Sequence, residues 1–251
     1  MNINSPNAND IPKLRALWKE AFSDTDEFLD VFFACAFSAD RSFCIKDKSE
    51  VAAALYIFDC IFEDSKIAYI YAVATAKSHR GKGLCHRLME HTHNALKIKG
   101  YKGAILVPGS KSLFDFYENM GYKTCCYLRK ENISAKENSE PLKKITSTEY
   151  NSLRRKFLPE GGVIQEGENL TFLSTYAEFY KGEDFIMASS KEDSTLICHE
   201  LLGNCEKFPY ILSAMGCKSG HLRTPGKGTP FAMYLPFEGE GHPSYFGFAF
   251  D

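Results

Sequence analysis

Residues 66–98 pass through three kinds of sequence. KIAYIYAVATA is apolar, rich in β-branched and aromatic residues, and reads as a strand. SHRGKG is basic and broken by two glycines, and LCHRLMEHTHNALKI then sets Leu84, Leu88, Thr92 and Ala95 on one helical face. A strand that turns on glycine straight into a helix belongs to a layered α/β fold, with the helix packed back on the sheet. It also aims the unpaired N–H groups and partial positive charge of a helix N-terminus at one point. Arg80, Gly81, Lys82 and Gly83 therefore have two readings. They form a solvated loop, or they hold an anion, and phosphate fits such a turn.

The flanking sequence fills out a mixed sheet with helices. Asn9-Asp10 precede Pro12 as a helix start, and Leu14, Leu17, Trp18 and Ala21 then form one apolar stripe. Phe28, Val31, Phe32 and Cys35 repeat the spacing in a second helix. RSFCIKD reads as a short strand, and VAAALYIFDCIF with KIAYIYAVATA as a hairpin around EDS. YKGAILVPG is a strand that stops at Pro108-Gly109. Leu113, Phe116, Tyr117 and Met120 line a helix ended by Gly121, and YKTCCYLRK is a further strand. The polar run KENISAKENSEP, residues 130–141, reads as a linker. It separates a first domain, 1–130, from a second, 142–251, with the boundary itself at 131–141.

Composition excludes several functions. The 251 residues carry 30 basic and 32 acidic side chains, a formal net charge of −2, so no basic excess marks a nucleic-acid binder. The N-terminal MNINSPNANDIPKL has no apolar core of a signal peptide, and no apolar run is long enough for a membrane span. Nine cysteines are scattered without a CxxC pair, and adjacent Cys125-Cys126 are poorly placed to bridge each other. This usage suits a reducing cytoplasm and gives no zinc spacing. His79, His86, His91 and His93 are close in sequence, but His91 and His93 do not share a helix face and no further ligand completes a metal site.

The stretch YIYAVATAKSHRGKGLCHRLM resembles the acetyl-CoA site of the GNAT acetyltransferase family. The family signature R/Q-x-x-G-x-G/A is met as Arg80-Gly81-Lys82-Gly83-Leu84-Cys85, with Cys85 where Gly or Ala is usual. A second stretch, LVPGSKSLFDFYENMGY, resembles the family's fifth strand and fourth helix with its F-Y-x-x-x-G-[FY] ending. The resemblance covers about residues 10–130. It implies a GNAT fold and acetyl-CoA as co-substrate, without a metal. Backbone N–H groups of Arg80, Gly81, Lys82, Gly83, Leu84, Cys85 and His86 would hold the pyrophosphate, and Val73, Ala74 and Thr75 would pair with the pantetheine arm. Tyr117 would sit near the thioester sulfur and protonate the departing thiolate. A phenol suits that task, since its reference pKa of about 10 keeps it protonated at neutral pH. The competing reading places Tyr117 on the apolar stripe as a core residue.

No general base is legible. KIAYIYAVA contains no carboxylate, Glu63 and Asp64 lie at the hairpin tip, and Glu118 points away from Tyr117. The implied reaction is transfer of an acetyl group to the primary amine of a small molecule or peptide. The alternatives are a catalytically silent CoA-binding sensor and an aminoacyl-tRNA-dependent transferase. A homodimer is compatible with the sequence.

The second half repeats the order helix, helix, hairpin, helix, strand: SLRRKFL behind a Thr146/Glu149 cap, ENLTFLSTYAEFYK, DFIMASS with STLICHELLGN, KFPYILSAMG and HLRTP. FAMYLPF and SYFGFAF read as later strands. At the place of the glycine turn stands LLGNCEKFPY, with Gly203 kept, the arginine lost and Glu206 added; PGKGTP replaces the fourth helix. This half resembles the degenerate second domain of tandem GNAT proteins. It is expected to wall the acceptor site, with Tyr210, Tyr234, Phe237, Tyr245 and Phe246 as aromatic candidates. In His199-Glu200 alternation turns one residue inward.

Overall fold

The computed structural model describes residues 1–250. Met1–Val107, Lys111–Lys123 and Tyr234–Gly241 form one compact unit. Its strands β1 (Ile3–Asn4), β2 (Ser42–Asp47), β3 (Glu50–Phe62), β4 (Ser65–Thr75) and β5 (Gly103–Leu106) lie in that order in a sheet. β1 to β4 run antiparallel, and β5 runs parallel to β4. Helices α1 (Ile11–Phe22), α2 (Asp26–Cys35), α3 (Leu84–Ile98) and α4 (Lys111–Glu118) complete the unit.

The hairpin of β3 and β4 turns on Glu63 and Asp64, both left-handed with φ of 47° and 58°. Two such residues match the right-handed twist of the strands they join. α1 carries Pro12 in its first turn and buries Leu14, Leu17 and Trp18. Asp10 does not cap α1 with its side chain. It closes a capping box with Asn7 and takes the Lys46 ammonium at 2.6 Å. α2 buries Leu29 and Phe32, so its inner stripe is turned from the expected row of Phe28, Val31, Phe32 and Cys35. Trp18 sets that angle: its ring lies 4.6 Å from Phe32 and 5.0 Å from Tyr56, and Phe28 packs tilted against it at 6.2 Å.

Pro108–Ser110, Thr124–Met233 and the residues from His242 onward form the second unit. It contains β6 (Lys123–Ser134), β7 (Lys143–Ile145), β8 (Ile164–Gln165), β9 (Glu178–Lys181), β10 (Phe185–Glu192), β11 (Thr195–Gly203), β12 (Ser219–Pro225) and β13 (Thr229–Pro236), less the ends of β6 and β13 that count with the first unit. The order β6-β12-β11-β10-β9-β7 is antiparallel except for the parallel pair β11–β12. The helices are α5 (Ser147–Phe157), α6 (Glu168–Leu173) and α7 (Phe208–Ala214).

Three local expectations change here. β6 continues to Ser134, so the polar run from 130 begins inside a strand; the ladder to β12 from Ser219↔Ser134 to Pro225↔Leu128 holds it extended. ENLTFLSTYAEFYK is not one helix: α6 stops at Leu173, and Glu178–Lys181 pairs with β10. SYFGFAF is no strand but a buried tail with a single bridge, Gly162↔Tyr245.

Side chains hold that tail. Gln165 donates to the Phe248 carbonyl at 2.8 Å and accepts from the Phe248 N–H at 2.9 Å. Glu200, fully buried, is the inward member of the His199-Glu200 pair. It accepts from Arg154 at 2.8 and 3.0 Å, from Tyr150 at 2.7 Å and from Tyr245 at 2.8 Å. Gly247 passes so close that a Cβ there would lie 1.8 Å from Glu200 Oε1, which requires glycine. A buried charge pair is tolerable only when its remaining lone pairs are filled, and the two phenols do so.

Candidate active site

The first unit brings the sequence-derived site residues to one end of β4. Ala53↔Thr75 and Ala54↔Ala74 pair in register, but Tyr56 faces Tyr71. Leu55 is therefore opposed by both Ala72 and Val73, a bulge, and Ala72 takes a left-handed φ of 47°. On the other edge β4 pairs with β5 at Ala68↔Ala104 and Tyr69↔Ile105, and β5 ends at Leu106. Val73, Ala74 and Thr75 thus project past the end of their parallel neighbour. Their backbone groups on that edge are available to an extended ligand, as in strand addition.

The chain then crosses Lys77–His79, a single 3-10 turn, and enters α3 through Gly81 and Gly83. Both glycines are left-handed, with φ of 74° and 71°, and a Cβ on either would meet nothing within 4 Å. They are required by backbone conformation, and the space beside them is open. Gly83 is the N-cap of α3 and no side chain caps the helix, so the first-turn N–H groups of Leu84, Cys85 and His86 face outward without a side-chain acceptor. Leu84 is buried and anchors the helix, so only its backbone can serve a ligand. Arg80 donates from Nε to the Thr75 carbonyl at 3.2 Å, and Lys82 to the Ser78 carbonyl at 3.0 Å. Both cations are exposed and fixed over the turn. This donor set fits a pyrophosphate.

Tyr117 is the one buried residue of α4, at 7% exposure. Leu113 and Met120 are half-buried and Phe116 is exposed, so the expected four-residue stripe does not form. Tyr117 packs against Phe116 at 5.3 Å and Tyr122 at 5.8 Å, and its hydroxyl takes no hydrogen-bond partner among the described residues. Burial raises its phenol pKa, and nearby Cys85 raises it further, so the proton is retained at neutral pH. Burial likewise pushes the Cys85 thiol up to about 11. A thiol so protonated is a poor nucleophile. The closeness of Cys85 to Tyr117 was hidden in sequence, where they lie on different helices. The Ala72 bulge was hidden too, because alanine carries no turn signal.

The histidines do not assemble. His91 is exposed, edge-on to Phe43 at 5.3 Å, and His93 Nε2 lies 2.7 Å from the buried Tyr122 hydroxyl. No group of three or more metal-ligating side chains occurs among the described residues. Burial lowers His93 to about 4, with Lys97 and His86 adding repulsion. Between that value and the ordinary 6.5, the unfolded chain binds a proton that the folded chain refuses. Stability contributed by neutral His93 is therefore present above pH 6.5 and lost as pH falls towards 4. The slope is at most about 1.4 kcal/mol per pH unit, less where solvent reaches the half-buried ring. Urea unfolding of His93→Gln should show a flatter acid limb than the parent chain; coincident limbs would remove the assignment.

Residues 2–125 match the family model described as an acetyltransferase (GNAT) domain. The chain carries a GNAT acetyltransferase domain. The family uses acetyl-CoA, and the turn just described lies inside the matched residues. Solved structures extend the likeness in fold to nearly the whole chain. A GCN5-related N-acetyltransferase from Anabaena variabilis is 13% identical, with a TM-score of 0.76 over 93% of this chain and 72% of that one. A probable N-acyltransferase from Enterococcus faecalis is 16% identical, with a TM-score of 0.71 over 94% and 72%. A putative acetyltransferase from Pyrococcus horikoshii is 13% identical, with a TM-score of 0.68 over 94% and 89%. No curated protein matches the sequence. No helix among the described residues is long and apolar enough to cross a membrane.

Proposed function

We propose that the first unit transfers the acetyl group of acetyl-CoA directly to a primary amine of a small molecule or peptide. The observation that carries this reading is the uncapped α3 N-terminus beside the free end of β4, with a protonated Tyr117 close to Cys85 of the same turn. Val73–Thr75 and residues 80–86 position the thioester, which supplies proximity. A backbone N–H at the bulge polarises the carbonyl. The amine nitrogen bonds to the carbonyl carbon as the C–S bond breaks, Tyr117 gives its proton to the sulfur, and water takes the proton released by the amine. The raised Cys85 argues against an acetyl-cysteine intermediate. Isotope-labelled acetyl-CoA offered with a panel of amines tests the reading: labelled amide should appear, and no label should stay on the protein.

Residues 142–251 fit a degenerate copy of the same plan. β11 and β12 form a parallel pair like β4 and β5, and β11 is bulged at His199 as β4 is at Ala72–Val73. The turn is not kept. Gly203 is left-handed at φ 94°, but a Cβ there would strike the Asp184 carbonyl at 2.2 Å, so that glycine serves packing. Glu206 stands in the turn, paired with Arg129 at 2.9 Å. Calorimetry should give one CoA per chain; two would overturn the loss of function in this half. Nine unbridged cysteines suit a cytoplasmic setting. A CoA-binding sensor is the second reading, favoured by the absence of a carboxylate from Lys66–Val73 of β4; it predicts CoA binding without labelled product.

A further inference from the structure

β6 carries two consecutive cysteines, and acetyl transfer uses neither. Adjacency alone argued against a bridge, because consecutive side chains of a strand stand on opposite faces. The structure brings the sulfurs together all the same. Cys125 Sγ lies 3.5 Å from Cys126 Sγ, so one thiol donates to the other. Both belong to the second unit, and their other contacts there are weak. Cys125 Sγ lies 3.8 Å from the Ala232 carbonyl oxygen, and Cys126 Sγ 3.7 Å from that of Pro243. A thiol is a poor donor, so little is lost if the sulfurs turn from those carbonyls towards each other.

The two thiols are not equivalent. Cys126 is fully buried, whereas Cys125 is only half-buried and meets solvent. The hydrogen bond to Cys125 and burial both raise the Cys126 thiol pKa, so Cys126 keeps its proton. Burial likewise raises Cys35, Cys44, Cys85 and Cys198, which slows them towards oxidants. A solvent-reached thiol in contact with a second one is the arrangement of a redox-responsive pair, with one member to react and one to resolve.

We propose that Cys125 and Cys126 are a peroxide-sensitive dithiol that closes to a vicinal disulfide. The Cys125 sulfur attacks one peroxide oxygen and the O–O bond breaks, which gives Cys125 sulfenic acid and one water. The Cys126 sulfur then attacks the Cys125 sulfur. The S–O bond breaks, and the Cys126 proton leaves with the hydroxyl as a second water. The two sulfurs lose two electrons, and one peroxide gains them. The sulfurs close from 3.5 Å to about 2.05 Å. The backbone resists this ring, since neighbouring Cα atoms across a trans peptide are ~3.8 Å apart, short of the ~4.4 Å at which ordinary bridges begin. The bridge is therefore strained and easily reduced, which suits a reversible modification and not a structural staple.

The test exposes the reduced full chain to a modest excess of hydrogen peroxide. Alkylation in denaturant caps every thiol that remains, and trypsin then releases Thr124–Arg129, which contains no other cysteine. That fragment should carry no alkyl group and be lighter than the reduced dithiol by two hydrogen atoms. Dithiothreitol before alkylation should restore both thiols. Cys126→Ser should stop at the sulfenic acid, trapped on Cys125 by dimedone, and Cys125→Ser should leave Cys126 alkylated over the same time. The result on the parent chain stands whether or not either variant folds. Two alkylated thiols in the parent fragment, or either cysteine bridged to a different fragment, overturns the proposal. So does a parent fragment that gains oxygen atoms without losing the two hydrogens, because Cys126 would then not resolve Cys125.

Discussion

The Gly83→Glu chain is expected to fold and to lose CoA binding. A Cβ at Gly83 meets nothing within 4 Å, so the new side chain enters open space and strikes no neighbour. The φ of 71° is uncomfortable for a non-glycine residue, at a cost of about 1–2 kcal/mol. That is small against the stability of a domain of ordinary size. The carboxylate, however, stands at the cap of α3, where the first-turn N–H groups converge. A like charge set against the pyrophosphate there costs several kcal/mol, roughly 10³-fold in affinity. Acetyl-CoA at about 100 times its Kd should stabilise the parent chain by about 2.7 kcal/mol, and this should vanish in the variant. Gly83→Asn separates charge from strain, since asparagine tolerates the left-handed region and stays neutral. It should keep most of the affinity. Parent-like stabilisation of Gly83→Glu would place the CoA site elsewhere.

The turn was legible because its reason is local. A strand, two glycines and an amphipathic helix are each written in consecutive residues, and the structure keeps all three. The β3–β4 hairpin was legible for the same reason, though Glu63 and Asp64 are not the usual Asn-Gly pair. The elements that sequence missed depend on distant partners. Lys130–Ser134 is polar and reads as linker, yet it is a strand because Ser219–Arg223 lies opposite. Glu178–Lys181 follows on from a helical pattern, yet Ile186–Ser189 pulls it into the sheet. SYFGFAF has strand composition, but its backbone groups bond to the Gln165 side chain and its Tyr245 to Glu200, so burial is achieved without a ladder.

The candidate site was half legible on the same principle. Arg80 to His86 could be named from consecutive residues. What surrounds those residues in the candidate site is tertiary: Ala72 in a bulge opposite Leu55, the early end of β5, and the approach of α4 to Cys85. The apolar stripe proposed for α4 was wrong in an instructive way. Phe116 is exposed and Tyr117 buried, so the helix is aimed by the tyrosine, and one residue at one angle does what four had been expected to share.

That isolation makes Tyr117→Phe decisive. The substitution removes one hydroxyl, which has no protein partner among the described residues, and keeps the ring against Phe116 and Tyr122. Loss of a core hydrogen bond is therefore not expected, and stability should change little. CoA affinity should also hold, because the turn and the end of β4 are untouched. Turnover should fall by roughly 10²-fold or more, the usual contribution of a positioned acid. The pH dependence adds a second readout. A phenol raised by burial stays protonated across the neutral range, so its ionisation should not limit the parent's rate there. In Tyr117→Phe the thiolate must leave without its donor, so the loss should be smaller for thioesters whose thiols are more acidic. Single-turnover rates with acetyl-CoA and with an acetylated thiol of lower pKa measure that difference directly. Equal loss with both thioesters, or an unchanged rate where chemistry limits turnover, would return Tyr117 to a packing role and favour the sensor reading of the CoA site.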